Sequence, residues 1–351
     1  MATVTKSIGT TGRDYSTITL WEADLDNAAE YSASDDAVGE CYNDSVFTEN
    51  VTIDGGGTIG LSSIKLTVPE AERHDGTAGT GVRITQGGAG TIFEVDQSNV
   101  TVEWIEISQG SDVNNSTGLY GGQTSQTGNT ISKCIVHDVG RSSAATISHG
   151  IRVITGGTQV NVLNNIVYDI YKDGTATGNM YGMFMDHGGP TSYIMNNTVF
   201  NTNSTSSGSV TAYGISYDRD DADVIGRNNI AMDTSADVGS ASDFNWAGTT
   251  NVDTDYQLSS DASGDDDGNS NSVISVASGD QFVSTTGGSE NLHLKDGSDA
   301  IGVGEDRGTT PTDVNIDIDG RDRDAEGDTW DMGADQTAGG AVVSNFFAHI
   351  F

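Results

Sequence analysis

A glycine followed by an apolar residue recurs every 32 residues through the middle of the chain: Gly118-Leu119, Gly150-Ile151, Gly182-Met183 and Gly214-Ile215. The doubled asparagines Asn164-Asn165, Asn196-Asn197 and Asn228-Asn229 keep the same step. Two marks locked to one period define stacked repeats, each burying its apolar face against its neighbours. Within a unit the apolar runs are short and alternate with period 2, as in 149–154, 181–186 and 213–218. That alternation is the strand signal, and no run is long enough for a crossover helix.

Short strands, polar corners and a fixed period predict an all-β solenoid, a right-handed parallel β-helix with neighbouring coils about 4.8 Å apart. Asparagine tolerates left-handed backbone angles at a tight corner and can bond its counterparts above and below. The doubled asparagine is therefore expected to be a structural ladder. Looser copies extend upstream, at Cys134-Ile-Val-His-Asp-Val139, Trp104-Ile-Glu-Ile107 and Ile64-Lys-Leu-Thr-Val68. At 351 residues the chain has room for about 8 to 10 coils.

The open ends of a solenoid expose strand edges that need cover. Residues 1–30 are expected to supply an N-terminal cap. In it Thr19-Leu-Trp-Glu22 fits a capping box, and Leu20, Trp21 and Leu25 share one helical face. Coils are expected over 31–290, with acidic, irregular loops from about 234. A closing segment follows at 291–338, and an apolar tail at 339–351.

The closing segment carries a specific resemblance. Asn291-Leu-His-Leu294, Gly297-Ser-Asp-Ala-Ile-Gly302, Asp317-Ile-Asp-Gly-Arg321 and Asp331-Met-Gly-Ala-Asp335 resemble the final runs of parallel β-helix proteins of the pectate-lyase-like superfamily. Asp299 stands where that group has proline, and Gln336 where an acidic residue is common. The opening 13–21 is similar to the capping segment of the same group. The resemblance implies the fold and leaves activity open, because this architecture hosts lyases, hydrolases, adhesins and viral spikes.

A net charge of −36, most of it aspartate, places a solvated acidic surface on the loops. It argues against nucleic acid and anionic membranes as partners, and against a large polyanionic substrate. No stretch is apolar enough to span a membrane, and no signal peptide precedes the first strand-like residues. Cys41 and Cys134 lack metal or redox spacing. Cys134 reads as a small core residue, with a disulfide between the two left open.

In opening segment, acidity and size the chain also resembles β-helix virion proteins of marine tailed bacteriophages. That resemblance implies a non-enzymatic surface protein made in the host cytoplasm: a capsid decoration or cement protein, or part of a fibre or spike. Its partners would be capsid or tail proteins and further copies of itself, for instance in a trimer. The tail, with Val342, Val343, Phe346, Phe347, Ile350 and Phe351, would dock onto such a partner or fold back on the last coil.

The alternatives are a glycan depolymerase and an extracellular adhesin. For the depolymerase, Asp186 and Asp218 fall at equivalent places in successive coils, about 5 Å apart, within the range of a retaining glycosidase pair. His187 and Arg219 would orient the sugar, and Tyr120 and Phe184 would form a stacking platform. A cation site and a plain solvated corner are the competing readings of the same acids. Fifteen Lys and Arg without an evident cluster speak against a lyase. No cofactor is required. Asn315, Asp317, Asp319 and Glu326 match the spacing of a calcium loop, although a structural turn accounts for them as well.

Overall fold

The computed structural model describes residues 2–109, 117–122, 125–142, 147–155, 159–187, 191–218, 224–246, 252–265, 268, 270–324 and 329–338. The chain winds as a parallel β-solenoid with three strands per turn. One turn runs Ser148–Thr155, Val160–Leu163 and Ile166–Lys172. Each strand pairs in parallel with its counterpart one turn later: Ile151 with Met183, Val162 with Ile194, and Val167 with Val199. Stacking yields three sheets. The glycine sheet has seven strands, from Val51–Ile53 to Gly239–Asn245, and the middle sheet has nine, from Thr3–Ile8 to Val252–Asp255. The third sheet, from Phe47–Thr48 to Leu258–Ser259, also has nine.

The coil makes about seven turns, fewer than the chain length suggested. The shortfall has a simple cause: among the described residues after Ser259, Val273 adds only a single parallel bridge to Leu258, and no further strand joins the three sheets. The residues after Ser259 run back along the outside of the third sheet, the strapped sheet. Its inward side chains Val136, Val167 and Val199 belong to the solenoid core. Its outward side chains Ile135, Ile166, Phe200 and Ile230 form a second core with Phe282, Leu292, Leu294, Ile318 and Met332 of this strap. Burying each such side chain contributes about 1.5–3 kcal/mol. The strap begins with an antiparallel hairpin, Phe282–Ser284 with Asn291–Leu294.

The 32-residue glycine has a steric cause. A Cβ on Gly150 would sit 2.4 Å from Val167 Cγ1, and one on Gly182 would sit 2.3 Å from Val199 Cγ1. Valines from the strapped sheet occupy that space beside Gly118, Gly150 and Gly182, and Ala231 Cβ lies at 3.0 Å beside Gly214. The two asparagines of each pair have different duties. Asn164, Asn196 and Asn228 hold φ of 55°, 56° and 57° and point outward. Asn164 and Asn196 donate to Val314 O at 3.2 and 2.9 Å, and Asn228 donates to Glu305 O at 2.9 Å, so they hold the strap. The second residues form the ladder: Asn165 Nδ2 donates to Asn197 Oδ1, and Asn197 Nδ2 to Asn229 Oδ1, each at 3.0 Å. The Cys134 amide caps this ladder on Asn165 Oδ1 at 2.9 Å. Cys134 and Cys41 are both free and buried, with no disulfide between them. Ile64-Lys-Leu-Thr-Val68 is a rung, but of the middle sheet, where Ile64 pairs with Val100.

A short helix, Ile18–Ala23, lies near the start of the chain. Its N-cap is Thr17, which accepts from Leu20 N at 3.1 Å, rather than Thr19. Thr19 sits inside the helix and donates its hydroxyl to Glu49, while Glu22 accepts from the amide of Gly55. Starting two residues earlier rotates the apolar face to Ile18, Trp21 and Leu25, and leaves Leu20 51% exposed. Thr3–Ile8, which precedes the helix, is already a strand of the middle sheet, paired with Asp36–Cys41. No helix among the described residues is long and apolar enough to cross a membrane.

Candidate functional site

Beyond the hairpin of the strap, the outer face of the strapped sheet stays open. Two adjoining hollows of about 200 and 290 Å³ share Asp138. Their floor comes from three successive turns: Glu106, then His137 and Asp138, then Tyr168 and Asp169, with Asn201 beyond. One wall is the hairpin turn Gly287–Glu290, and the other is Thr77–Gly79 with Arg83. Asp138, Asp169 and Asn201 occupy equivalent corners with φ of 53°, 51° and 54°. Short polar side chains are the ones that tolerate this left-handed conformation. The corner thus repeats a carboxyl or amide once per turn and projects it outward.

Glu106 is fully buried. It accepts from His137 Nε2 at 3.0 Å and from the Gly79 amide at 2.5 Å, with Arg83 Nη1 at 4.0 Å. His137 bonds Asp138 Oδ2 through Nδ1 at 2.7 Å and stacks on Tyr168 at 4.9 Å between centroids. Burial alone would lower the His137 pKa, but its hydrogen bonds to Asp138 and Glu106 raise it to about 9. The result is a carboxylate–imidazolium–carboxylate chain running from the interior to the cleft.

Asp169 is the perturbed acid of the cleft. Burial pushes its pKa up, and the hydrogen-bonded Glu290 and nearby Asp138 push it further; Asn201, donating at 2.5 Å, opposes them. The balance stands at about 6. A carboxyl whose pKa is raised, beside a second carboxyl on the next rung, is the arrangement acid–base chemistry uses.

A larger hollow, about 480 Å³, lies elsewhere, on the outer face of the middle sheet. Thr101, Thr130, Asn161 and Tyr193 line it in successive turns, with Thr309–Asp313 of the strap as its wall. Hydroxyls and amides dominate that lining, with Asp313 its one ionisable carboxyl, so it lacks an acid pair.

Asp186 and Asp218 do fall on consecutive rungs of the glycine sheet: Met185 pairs with Tyr217, and Asp218 N donates to Met185 O at 2.8 Å. The side chain of His187 and the whole of Arg219 lie outside the described residues. The row Tyr120, Arg152, Phe184 and Ser216 is in register as its spacing required. The stacking platform is nevertheless covered. Phe184 is 9% exposed and packs on Tyr181 at 4.5 Å and His149 at 5.5 Å, while the Arg152 guanidinium lies over Tyr120 at 4.9 Å.

The calcium-loop residues do not converge on one point. Asp317 spends its carboxylate on the amides of Asp319, Arg321 and Gln336, at 2.9, 2.7 and 3.1 Å. Asn315 Nδ2 bonds Asp322 at 2.8 Å, and Asp319 turns to His293 at 2.9 Å. Glu326 lies outside the described residues, as do Val342, Val343, Phe346, Phe347, Ile350 and Phe351 of the tail.

Asp138 and Asp169, which the sequence did not single out, stand at the same place in Cys134-Ile-Val-His-Asp-Val139 and Asn165-Ile-Val-Tyr-Asp-Ile170, 31 residues apart. The signal was an acid at the same place in both runs, with Asn201 one turn on. Glu290 and Arg83, distant in sequence, left no such trace.

No protein-family model matches the chain, and no curated protein is similar to it. Among solved structures it is similar to the pectin methylesterase of Aspergillus niger in deglycosylated form, at a TM-score of 0.38 and 16% identity over 72% of this chain and 89% of that one. It is similar also to the pectate lyase Pel9A, at 0.30 and 12% over 96% and 97%. The parallel solenoid itself stands on the strand pairing described above.

Proposed function

We propose that the chain is a glycan-acting β-solenoid whose cleft on the strapped sheet hydrolyses glycosidic bonds. The observation that carries this reading is Asp169, with a pKa raised to about 6 beside Glu290 and one rung from Asp138. Adjacent rungs lie about 4.8 Å apart, close to the carboxyl separation of retaining glycosidases.

In this reading Asp169 gives its proton to the glycosidic oxygen as the C–O bond breaks. The Asp138 carboxylate, oriented by His137, adds to the anomeric carbon. Water then displaces Asp138 and returns a proton to Asp169. Burial and Glu290 raise the Asp169 pKa, and Glu106 holds His137 in place. The acid-rich cleft and the charge of −36 favour a neutral glycan over a uronate polymer. The test is release of reducing ends from neutral glucans, xylan and mannan by the wild type and by Asp169→Asn. Loss in the variant supports the reading, and unchanged turnover removes it.

A second reading keeps the solenoid as a non-enzymatic display scaffold on a virion surface, docked through residues 342–351. The rigid, strapped architecture favours it. On this reading the coil is right-handed, the helix Ile18–Ala23 covers its first turn, and the strap closes its side. Deleting 340–351 without loss of incorporation into particles would count against tail docking.

A further inference from the structure

A second group of side chains lies within the strap and shares no residue with the acid pair. His293 comes from the hairpin strand, Asp319 from the turn at 317–321, and Asp335 from the segment after Trp330. One ligand atom from each lies within 4.8 Å of the others. The support around them is what a metal site uses. His293 Nδ1 faces Asn291 Oδ1 at 2.6 Å, which places the ring proton on Nδ1 and turns Nε2 toward the two aspartates. Asp335 Oδ2 is held by the Leu294 amide at 2.8 Å, which fixes that carboxylate.

Gly76 faces the same spot. A Cβ there would stand 2.5 Å from His293 Nε2 and 2.9 Å from Asp319 Oδ1. Backbone alone therefore borders the donor atoms on that side. The ligands are not sealed in either: the His293 and Asp319 side chains are 18% and 26% exposed, so an ion has a route in.

We propose that His293, Asp319 and Asp335 bind one divalent transition-metal ion of the Zn²⁺ or Mn²⁺ class, which latches three stretches of the strap together. The two carboxylates suit either ion, and the imidazole nitrogen disfavours calcium, which takes oxygen ligands. Three protein ligands leave a position for water. The competing account is a simple ion pair between His293 and Asp319, with Asp335 serving only the Leu294 amide and the charge of Arg323.

The test uses the full-length protein stripped with a chelator, and Zn²⁺ alone as the probe. Calorimetric titration in excess Mg²⁺ is expected to show one site per chain, and Zn²⁺ is expected to raise the thermal midpoint. The Asp319→Asn/Asp335→Asn variant, checked as folded by circular dichroism, is expected to lose both effects. Asn291→Leu, which removes only the support for His293, is expected to weaken binding roughly 10-fold or more. Absence of a one-to-one site in the wild type, or equal binding by the double variant, would overturn the proposal. Neither readout depends on glycan turnover, so this site and the cleft stand or fall separately.

Discussion

Arg323 Nη2 donates to Asn164 Oδ1 at 3.3 Å, joining residues 159 apart in the chain and tying the strap to the outward face of the asparagine corner. Arg323 is fully buried and also donates to the carbonyls of Gly333 and Ala334 at 2.8 and 3.0 Å. The charges of Asp317, Asp335 and Asp331 surround it. Removing one member of a buried charge group leaves the others uncompensated, at a cost of about 3–5 kcal/mol. Arg323→Ala is therefore expected to lower the unfolding free energy by that amount, and the urea midpoint with it, or to release the strap in a separate, earlier transition. A single transition at the wild-type midpoint would contradict this.

The two asparagines of a pair should separate in mutagenesis. Asn197 is fully buried and donates to Asn229 Oδ1 and to Val162 O, at 3.0 and 2.9 Å. Asn197→Ala orphans a buried carbonyl and breaks the ladder, for a loss of about 2–3 kcal/mol. Asn196→Gly gives up the contacts with Val314 and with Asn228 Nδ2 but adopts its φ of 56° without strain, so it should lose less. Urea unfolding of the two variants checks the order.

His137 makes stability depend on pH in the alkaline range. Its folded pKa of about 9 exceeds the ordinary 6.5, so its contribution is complete below about 6.5 and is lost as pH rises through 9. The charged groups facing it are Glu106 and Asp138, with Arg83 behind Glu106. Unfolding free energy should fall between about pH 6.5 and about pH 9.5, and His137→Gln should flatten that slope.

Asp169 carries the opposite lesson for function. Its folded pKa is raised to about 6, so its ionised form strains the fold, and stability is lost as pH rises through that value. Asp169→Asn should therefore be more stable than the wild type at about pH 8 while losing turnover. By contrast, Asp186→Asn/Asp218→Asn should leave turnover within about 2-fold, since those acids lie on the glycine sheet.

The fold was legible because its cause repeats. Gly150 and Gly182 are forced by Val167 and Val199 on successive turns, and Asn165, Asn197 and Asn229 stack on themselves. The strap was only half legible. Its motifs stood out, but nothing local says that Phe282, Leu292 and Met332 cover the outward face of Ile166 and Phe200. The cleft was the least legible part. Asp138 and Asp169 are repeat-encoded, yet Glu290 arrives from the hairpin turn 121 residues after Asp169, and only the fold brings it there. Phe184 misled because an outward position on a strand does not ensure exposure once His149 and Tyr181 stack against it.

The most direct test of the account is the pH profile of reducing-end release from neutral glycans by the wild type and Asp169→Asn. The account predicts wild-type turnover that declines as pH rises through about 6, following the Asp169 proton, and a loss of roughly 100-fold or more in the variant. Turnover in Asp169→Asn equal to the wild type, or no action on any neutral glycan at any pH, would contradict it.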